Sequence, residues 1–224
     1  MKALVIASGG GIGDALFATP VVRALGARYD EVVALTSPAQ REAIAGALPE
    51  TEVWCDDRPL GALAGRLAAA RFDAAVVTWA TLRTALLSYL ARIPVRVGQA
   101  RRLYSGLFTA PVIVRSELGD RATHWTQILL DYARALGCDL AAAEVAPRFA
   151  VDERARASVR ALLAAKGFGE RYLVFHPTRG IAANRSRWPS EHLGALARAL
   201  GAAHGAQLAI TGSAADRELA EAVA

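Results

Sequence analysis

The regular alternation of short apolar, β-branched runs with longer helical stretches most constrains how this chain can fold. This order predicts βαβ units and a parallel sheet. The strand candidates are Ala3–Ala7, Val32–Thr36, Glu52–Cys55, Ala74–Trp79 and Val95–Gly98. The predicted helices are Ala15–Arg28, Pro38–Ala47, Leu60–Ala70, Thr81–Arg92 and Ala122–Leu136. Continuous apolar strands are typical of a sheet covered on both faces, so we expect an α/β, doubly wound parallel sheet.

A second, shorter series of elements follows, and we place the domain boundary near Cys138–Val151. Its predicted elements are a helix Asp152–Lys166, a strand Tyr172–His176, a polar loop Pro177–Pro189, a helix Ser190–His204, a strand Gln207–Thr211 and a helix from Ala214. Two strands alone do not make a stable domain. Either these pieces complete the first sheet or they begin a second Rossmann-like domain, and we favour an incomplete second domain.

Composition excludes several classes of protein. Of 224 residues, 54% are hydrophobic and 21% are charged, which excludes disorder, collagen and coiled coil. Each apolar run is interrupted before the roughly 18 residues that a membrane span needs. The chain enters a strand-like run at once, and Cys55 and Cys138 lack metal-ligand spacing, so we expect a reduced, cytoplasmic protein without a metal centre.

The positive charge of the chain comes almost entirely from arginine. Lysine and arginine together number 26 against 21 acidic residues, and only Lys2 and Lys166 are lysines. Arginine binds phosphate and carboxylate bidentately. The bias therefore fits either a solvated arginine-rich surface or a phosphate-rich partner such as a nucleotide or an anionic lipid.

A glycine-rich turn, Ser8-Gly9-Gly10-Gly11-Ile12-Gly13-Asp14, follows the first strand. It lacks the third glycine of a dinucleotide fingerprint, and the second strand ends without an acidic residue for a ribose. A Walker-type phosphate loop is also absent. Asp14 could be a helix-terminal carboxylate, or a proton acceptor facing the ligand crevice at the carboxyl end of the first strand, and both interpretations stay open.

The chain resembles glycosyltransferase family 9, the lipopolysaccharide heptosyltransferases, in several segments that occur in the family's order. The matching segments are GGIGDALFATPVVRALGARYD, VRVGQARRLYSGLFT, HWTQILLDYARALG, HPTRGIAANRSRWPSEHLGALARAL and ITGSAADRELAEAVA. The resemblance implies a GT-B fold, with an acceptor-side domain over residues 1–150, linker included, and the start of an ADP-sugar domain over residues 151–224.

The resemblance also implies a function, the transfer of a heptose from ADP-heptose to the lipopolysaccharide inner core with inversion at the anomeric carbon. Asp14 would be the general base on the acceptor hydroxyl, and no cofactor is implied. Alternatives are a nucleotide-dependent oxidoreductase, or a non-catalytic sugar- or nucleotide-binding module. Nucleic acid is not an expected partner.

Candidate binding residues follow from the same family pattern. On the donor side they are Thr178, Arg179, Arg185, Ser186, Arg187 and Asp216. Ser186 stands where the family usually has a phosphate-binding lysine, for which Arg179 or Arg185 could substitute. Asp216 would meet the donor ribose. Trp188 is expected to be buried and His176 to be structural.

Acceptor-side candidates lie in the first domain. They are Gly11, Gly13, Arg96, Arg101, Arg102 and His124. An acceptor carrying Kdo carboxylates and lipid A phosphates would require such a basic surface. The arginines could instead be solvated, and His124 could simply begin a helix. Because the acceptor is lipid-linked, we expect a peripheral protein on the cytoplasmic face of the inner membrane. The segment expected at the anionic surface contains Arg96, Arg101 and Arg102, with the apolar pairs Leu103-Tyr104 and Leu107-Phe108. Alternatively, these apolar residues pack inside and the arginines point into the acceptor cleft.

Overall fold

In the computed structural model, six parallel strands form one sheet within the first 150 residues. The strands are β1 (Lys2–Ile6), β2 (Glu31–Thr36), β3 (Glu52–Cys55), β4 (Ala74–Val77), β5 (Val95–Gln99) and β6 (Ala110–Val112). Their order is β3-β2-β1-β4-β5-β6, and every neighbouring pair is parallel. The structure describes residues 1–177 and 188–223. The predicted parallel α/β sheet is confirmed.

Helices cover both faces of this sheet. They are α1 (Ile12–Phe17), α2 (Thr19–Leu25), α3 (Arg41–Ala47), α4 (Leu60–Ala70), α5 (Leu82–Leu90) and α6 (Trp125–Arg134). Along β1, Ala3 and Val5 join one apolar cluster, and Leu4 and Ile6 join the other. Because successive side chains of a strand point to opposite faces, a strand buried on both sides needs an unbroken apolar run. The doubly wound arrangement is therefore confirmed.

The first predicted helix is wrong in its bounds. The expected single helix Ala15–Arg28 is two short helices, α1 and α2, which meet at Ala18. Pro20 lies in the first turn of α2, where its missing N–H is tolerated, and it would interrupt a continuous helix. The first helix also begins three residues early, at Ile12, so that Asp14 lies inside α1.

Three further elements differ from prediction. Strand β6 was not predicted, because it has only three residues and contains Pro111, a residue tolerated at a sheet edge. The expected helix Ala122–Leu136 is shorter, beginning at Trp125. A single 3₁₀ turn, Pro38–Gln40, replaces the first turn of the helix predicted over Pro38–Ala47.

A second compact unit comprises Val151–Ala224. Its elements are α7 (Glu153–Ala165), β7 (Tyr172–Phe175), α8 (Ser190–His204), β8 (Gln207–Ile210) and α9 (Arg217–Val223). Strands β7 and β8 pair in parallel. Within the described part of this unit, the predicted strands and helices occur in the predicted order.

Candidate active site at the carboxyl edge of the sheet

The loop after β1, residues 8–11, is the glycine loop, and its backbone places Asp14. Gly10 has φ +69°, a conformation that favours glycine. A Cβ added to Gly10 would lie 2.5 Å from Asp14 Oδ2, so that only glycine leaves room for this carboxylate to fold back. The Gly11 N–H donates to Asp14 Oδ2 at 2.6 Å. Glycine at position 10 is thus required for this position of the aspartate.

Asp14 is the third residue of α1 and half-buried. Its Oδ2 caps the backbone N–H of Gly11, as expected for a helix-terminal carboxylate. Within residues 1–177 and 188–223, Oδ1 makes no hydrogen bond. The helix-terminal interpretation is therefore confirmed for Oδ2, and the role of proton acceptor stays a prediction.

Gln40, which the sequence did not single out, holds the glycine loop in place. This side chain is 2% exposed, and its Nε2 lies 3.1, 3.2 and 2.9 Å from the carbonyl oxygens of Gly9, Gly10 and Gly11. Its Oε1 accepts from the Thr36 hydroxyl and from the N–H and hydroxyl of Ser37. One buried side-chain amide thus supplies the hydrogen-bond donor for the carbonyls of the loop.

A second cluster at this edge was also missed. Asp56, directly after β3, accepts from the Ser8 hydroxyl at 2.9 Å and from the Arg83 guanidinium. The Asp56 side chain is almost fully buried. Its hydrogen bond with Arg83 is the main reason that the pKa of the Arg83 guanidinium is raised. Asp56 therefore links the start of the glycine loop, through the Ser8 hydroxyl, to the start of α5, through Arg83.

A pocket of 320 Å³ lies at the ends of β4, β5 and β6, against α6. The residues that line it are Thr78, Trp79, Ala80, Gln99, Arg102, Val114, Ser116, Glu117, Trp125, Leu129 and Tyr132. Trp79 also contacts the glycine loop, because a Cβ added to Gly9 would lie 1.9 Å from its Cδ1. The pocket is therefore a neighbour of the loop that places Asp14.

His124 caps α6 rather than extending a helix. Its Nδ1 accepts from the Thr126 N–H at 3.3 Å, which in the neutral imidazole leaves the proton on Nε2. The ring is exposed and meets Phe17 of α1 edge-on at 5.6 Å. The fold thus places His124, a predicted acceptor-side residue, against the helix that carries Asp14.

The predicted acceptor arginines separate in the structure. Arg96 lies near the amino end of β5, away from the glycine loop, and its guanidinium donates to the carbonyls of Leu107 and Ile93. These bonds hold a turn, and its role as an acceptor residue stays a prediction. Arg101 is exposed, and Arg102 forms an ion pair with Glu117 at 3.0 Å. Gly13 is exposed on α1, where an added Cβ would meet nothing within 4 Å.

In the second unit, Asp216 accepts from the Ser213 N–H at 2.9 Å and lines a pocket of 440 Å³ with Ser190. His176 Nδ1 lies 2.9 Å from the Thr211 hydroxyl, a contact between the ends of β7 and β8. Trp188 is 62% exposed, so its predicted burial is wrong; its ring lies edge-on to His192 at 6.3 Å. The other predicted donor residues lie outside the described residues: Thr178, Arg179, Arg185, Ser186 and Arg187.

Among residues 1–177 and 188–223, no helix is long and apolar enough to cross a membrane. The same residues contain no group of three or more histidine, cysteine, aspartate or glutamate side chains that could hold a metal ion.

Solved structures of glycosyltransferases share the fold of this chain. E. coli ADP-heptose LPS heptosyltransferase II is 23% identical with a TM-score of 0.73, over 100% of this chain and 68% of that protein. A family 9 glycosyltransferase from Veillonella parvula is 17% identical with a TM-score of 0.74, over 99% and 65%. E. coli heptosyltransferase WaaC, solved with ADP, is 19% identical with a TM-score of 0.67, over 100% and 71%.

The chain therefore spans about two-thirds of the length of these proteins and has the GT-B type of α/β architecture. No curated protein sequence matches the chain significantly. The family model described as glycosyltransferase family 9 (heptosyltransferase) matches residues 60–224, which is more than half of the chain. This protein belongs to glycosyltransferase family 9, the heptosyltransferases.

Proposed function

We propose that this protein transfers a heptose from ADP-heptose to the lipopolysaccharide inner core, to a Kdo or heptose unit, with inversion at the anomeric carbon. The observation that carries the proposal is the carboxylate of Asp14, fixed by the glycine loop at the carboxyl edge of the sheet, in a chain of the heptosyltransferase family. Ligands of open α/β sheets bind at this edge. The ADP in the WaaC structure supports a nucleotide donor.

Asp14 is the proposed general base. The acceptor hydroxyl attacks the anomeric carbon, a new C–O bond forms, and the bond to the ADP phosphate breaks. Asp14 Oδ1 takes the proton of the hydroxyl, since Oδ2 accepts the Gly11 N–H. Correct placement of such a base contributes about 10²- to 10⁴-fold to the rate.

Departure of ADP leaves negative charge on the diphosphate, and the second unit would stabilise it. We assign this task to the arginines of the loop that includes Arg179, Arg185 and Arg187, with Thr178 and Ser186 as hydroxyl donors. Guanidinium groups bind phosphate oxygens bidentately, and charge stabilisation of this kind is often the largest catalytic effect. Asp216, beside a pocket in this unit, would accept from a ribose hydroxyl.

The acceptor side of the site would lie on the first unit. His124, Gly11 and Gly13 are placed on or against α1, while Arg101 and Arg102 follow β5. We propose that the exposed Arg101 and Leu103 contact the anionic membrane surface that holds a lipid-linked acceptor, on the cytoplasmic side. Each basic residue near such a surface adds about 1 kcal/mol of attraction.

Replacement of the proposed base tests this function. In the whole protein, Asp14→Asn should keep the Gly11 contact through the amide oxygen and lower heptose transfer by about 10²-fold or more, with ADP-heptose binding unchanged. Transfer is measured as ADP release and product mass, and donor binding by calorimetry. Asp57→Asn, on the exposed Asp57, is the matched control. Wild-type transfer by Asp14→Asn would remove Asp14 from the mechanism.

A further inference from the structure

The start of the glycine loop depends on side chains to hold it. The last sheet-type bond before it runs from the Ala7 N–H to the Leu35 carbonyl at 2.8 Å. Among the described residues, 1–177 and 188–223, no acceptor receives the backbone N–H of Ser8, Gly9 or Gly10. A backbone segment without such bonds is fixed only by the groups that contact it, so the geometry of this loop depends on those contacts.

One of these contacts is the hydrogen bond from the Ser8 hydroxyl to Asp56 Oδ2, at 2.9 Å. The Asp56 side chain is only 7% exposed. Arg83 Nε lies 3.2 Å from each of its oxygens, and Arg83 Nη2 donates to Oδ1. A buried carboxylate is tolerated when it is paired and hydrogen-bonded, and both conditions are met here. Arg83 therefore fixes Asp56, and Asp56 fixes Ser8.

The guanidinium of Arg83 is itself held in place. Its Nη2 also donates to the carbonyl of Arg58 at 2.7 Å. Arg83 is the second residue of α5, whose first turn is capped by the Thr81 hydroxyl, an acceptor for the Thr84 N–H at 3.2 Å. A guanidinium that binds a carboxylate through two nitrogens adds geometric specificity to the charge interaction. Asp56 is thus attached to the start of a helix.

The same start of α5 contacts the glycine loop a second time. The ring of Trp79 lies so close to Gly9 that an added Cβ would be 1.9 Å from Trp79 Cδ1. The Thr84 hydroxyl donates to the carbonyl of Trp79 at 3.0 Å, which ties the tryptophan to the helix as well. Two consecutive residues of the loop are therefore held from one place, Ser8 through Asp56 and Gly9 through Trp79.

We propose that Asp56 is a positioning residue for Asp14, and that it acts through Ser8 by fixing the glycine loop whose Gly11 N–H binds the Asp14 carboxylate. The path is short, because Gly11 lies three residues after Ser8 and donates to Asp14 Oδ2 at 2.6 Å. The inference rests on the proposed function for the role of Asp14 as a base. A misplacement of about 1 Å can lower a rate about 10²-fold, so loss of the anchor should lower kcat.

Removal of one hydroxyl in the whole protein tests the anchor. Ser8→Ala deletes the donor to Asp56 and leaves the ion pair with Arg83 in place. It should lower kcat for heptose transfer about 10-fold and leave KM for ADP-heptose unchanged, because the donor is assigned to the second unit. Hydrogen exchange of the Gly11 N–H, measured by NMR, should become about 10-fold faster. The exposed Ser158→Ala, on α7, is the matched control and should behave as wild type.

A second variant shows whether Ser8 acts through Asp56. Asp56→Ala removes the acceptor of the Ser8 hydroxyl and should lower kcat at least as far as Ser8→Ala. The double variant should then be no slower than Asp56→Ala alone, because both substitutions remove the same contact. Thermal unfolding of each variant separates the role in positioning from a purely structural one. A lower stability with a wild-type kcat for the folded enzyme would overturn the proposal.

The positioning role and the proposed function fail separately. Unchanged exchange of the Gly11 N–H in Ser8→Ala, a wild-type kcat in that variant, or additive losses in the double variant would refute the positioning role and leave the function of Asp14 intact. Wild-type transfer by Asp14→Asn, together with faster exchange at Gly11 in Ser8→Ala, would keep the placement of the carboxylate by Asp56 and refute its role as the base.

Discussion

Two loops at the same edge of the sheet are held in opposite ways. The glycine loop follows β1 and is fixed by Gln40, a side chain buried about 30 residues away in sequence. The loop after β5, residues 100–104, here called the arginine loop, is fixed near its ends by Ser105 and by the Tyr104 hydroxyl on the Ala80 carbonyl at 2.6 Å. The first loop has its carbonyls satisfied from within the fold, whereas the second projects its middle outward.

In the proposed function, the glycine loop positions the reacting group and the arginine loop presents a surface. Arg101 has φ +61°, and the Leu103 side chain is fully exposed, so the middle of the arginine loop is not packed on the sheet. A general base must keep its geometry to a fraction of an ångström, and a buried amide network serves that need. Contact with a membrane surface requires only exposed charge and apolar area.

Removal of the amide that holds the glycine loop should have the largest effect on stability. Gln40→Leu leaves the three glycine carbonyls and the Thr36 hydroxyl without their partner, and we expect it to lower the free energy of unfolding by about 3 kcal/mol. Denaturant titration measures the loss. Gln207→Leu, on an exposed glutamine that also makes two hydrogen bonds, is the control and should cost less than about 1 kcal/mol. Equal losses for both would contradict the central role of Gln40.

Two glycines of the same segment should respond in opposite directions. Gly10→Ala forces a Cβ against Asp14 at a positive φ and should cost about 1–2 kcal/mol, together with most of the transfer activity. Gly13→Ala places its Cβ in open space on α1 and should raise stability by up to about 1 kcal/mol. Thermal unfolding and ADP release measure both variants. A Gly10→Ala enzyme with normal turnover would show that the placement of Asp14 by this glycine is not needed.

The parts of the fold that sequence predicts are those that depend on local pattern. The apolar run of Ala74–Trp79 predicts a strand because both faces of β4 are buried. The break at Pro20 lies within an apolar pattern that favours one continuous helix, although a proline interrupts a helix interior. Strand β6 could not be found, because three residues with a proline carry no periodic signal. Its pairing with β5 depends on the completed sheet.

The residues of the candidate site also differ in whether a local sequence pattern predicts them. Asp14 is visible in sequence because a glycine run after a first strand has a known position in α/β sheets. Gln40 and Asp56 are not visible, because a single polar residue in a turn resembles a surface residue. Their importance depends on partners that only the fold brings near, the glycine carbonyls for Gln40 and Ser8 with Arg83 for Asp56. Long-range polar contacts are therefore what sequence reasoning missed.

Alkaline pH should lower the stability of the protein through Tyr132, a buried phenol behind the pocket. Burial raises the pKa of Tyr132 above its ordinary value of about 10, so the unfolded chain loses this proton first and stability falls as pH rises above about 10. Denaturant titrations from pH 8 upward should show a smaller fall in Tyr132→Phe than in wild type. Tyr29, whose pKa burial also raises, is less deeply buried, and Tyr29→Phe should reduce the fall less. An unchanged pH dependence in Tyr132→Phe would contradict this account.

The smallest effect on stability, and the clearest contrast between the loops, is expected at Leu103. Because this side chain packs on nothing, Leu103→Ser should change the free energy of unfolding by less than about 0.5 kcal/mol.

If the arginine loop contacts a membrane, the same variant should sediment less with anionic vesicles at low salt. Arg101→Glu should lower sedimentation further, and added salt should weaken binding of the wild type, because surface charges are screened. Arg71→Glu, on an exposed arginine at the end of α4, is the matched control. Wild-type protein that stays in the supernatant at low salt would show that this loop does not bind the bilayer, and would restrict membrane contact to the acceptor itself.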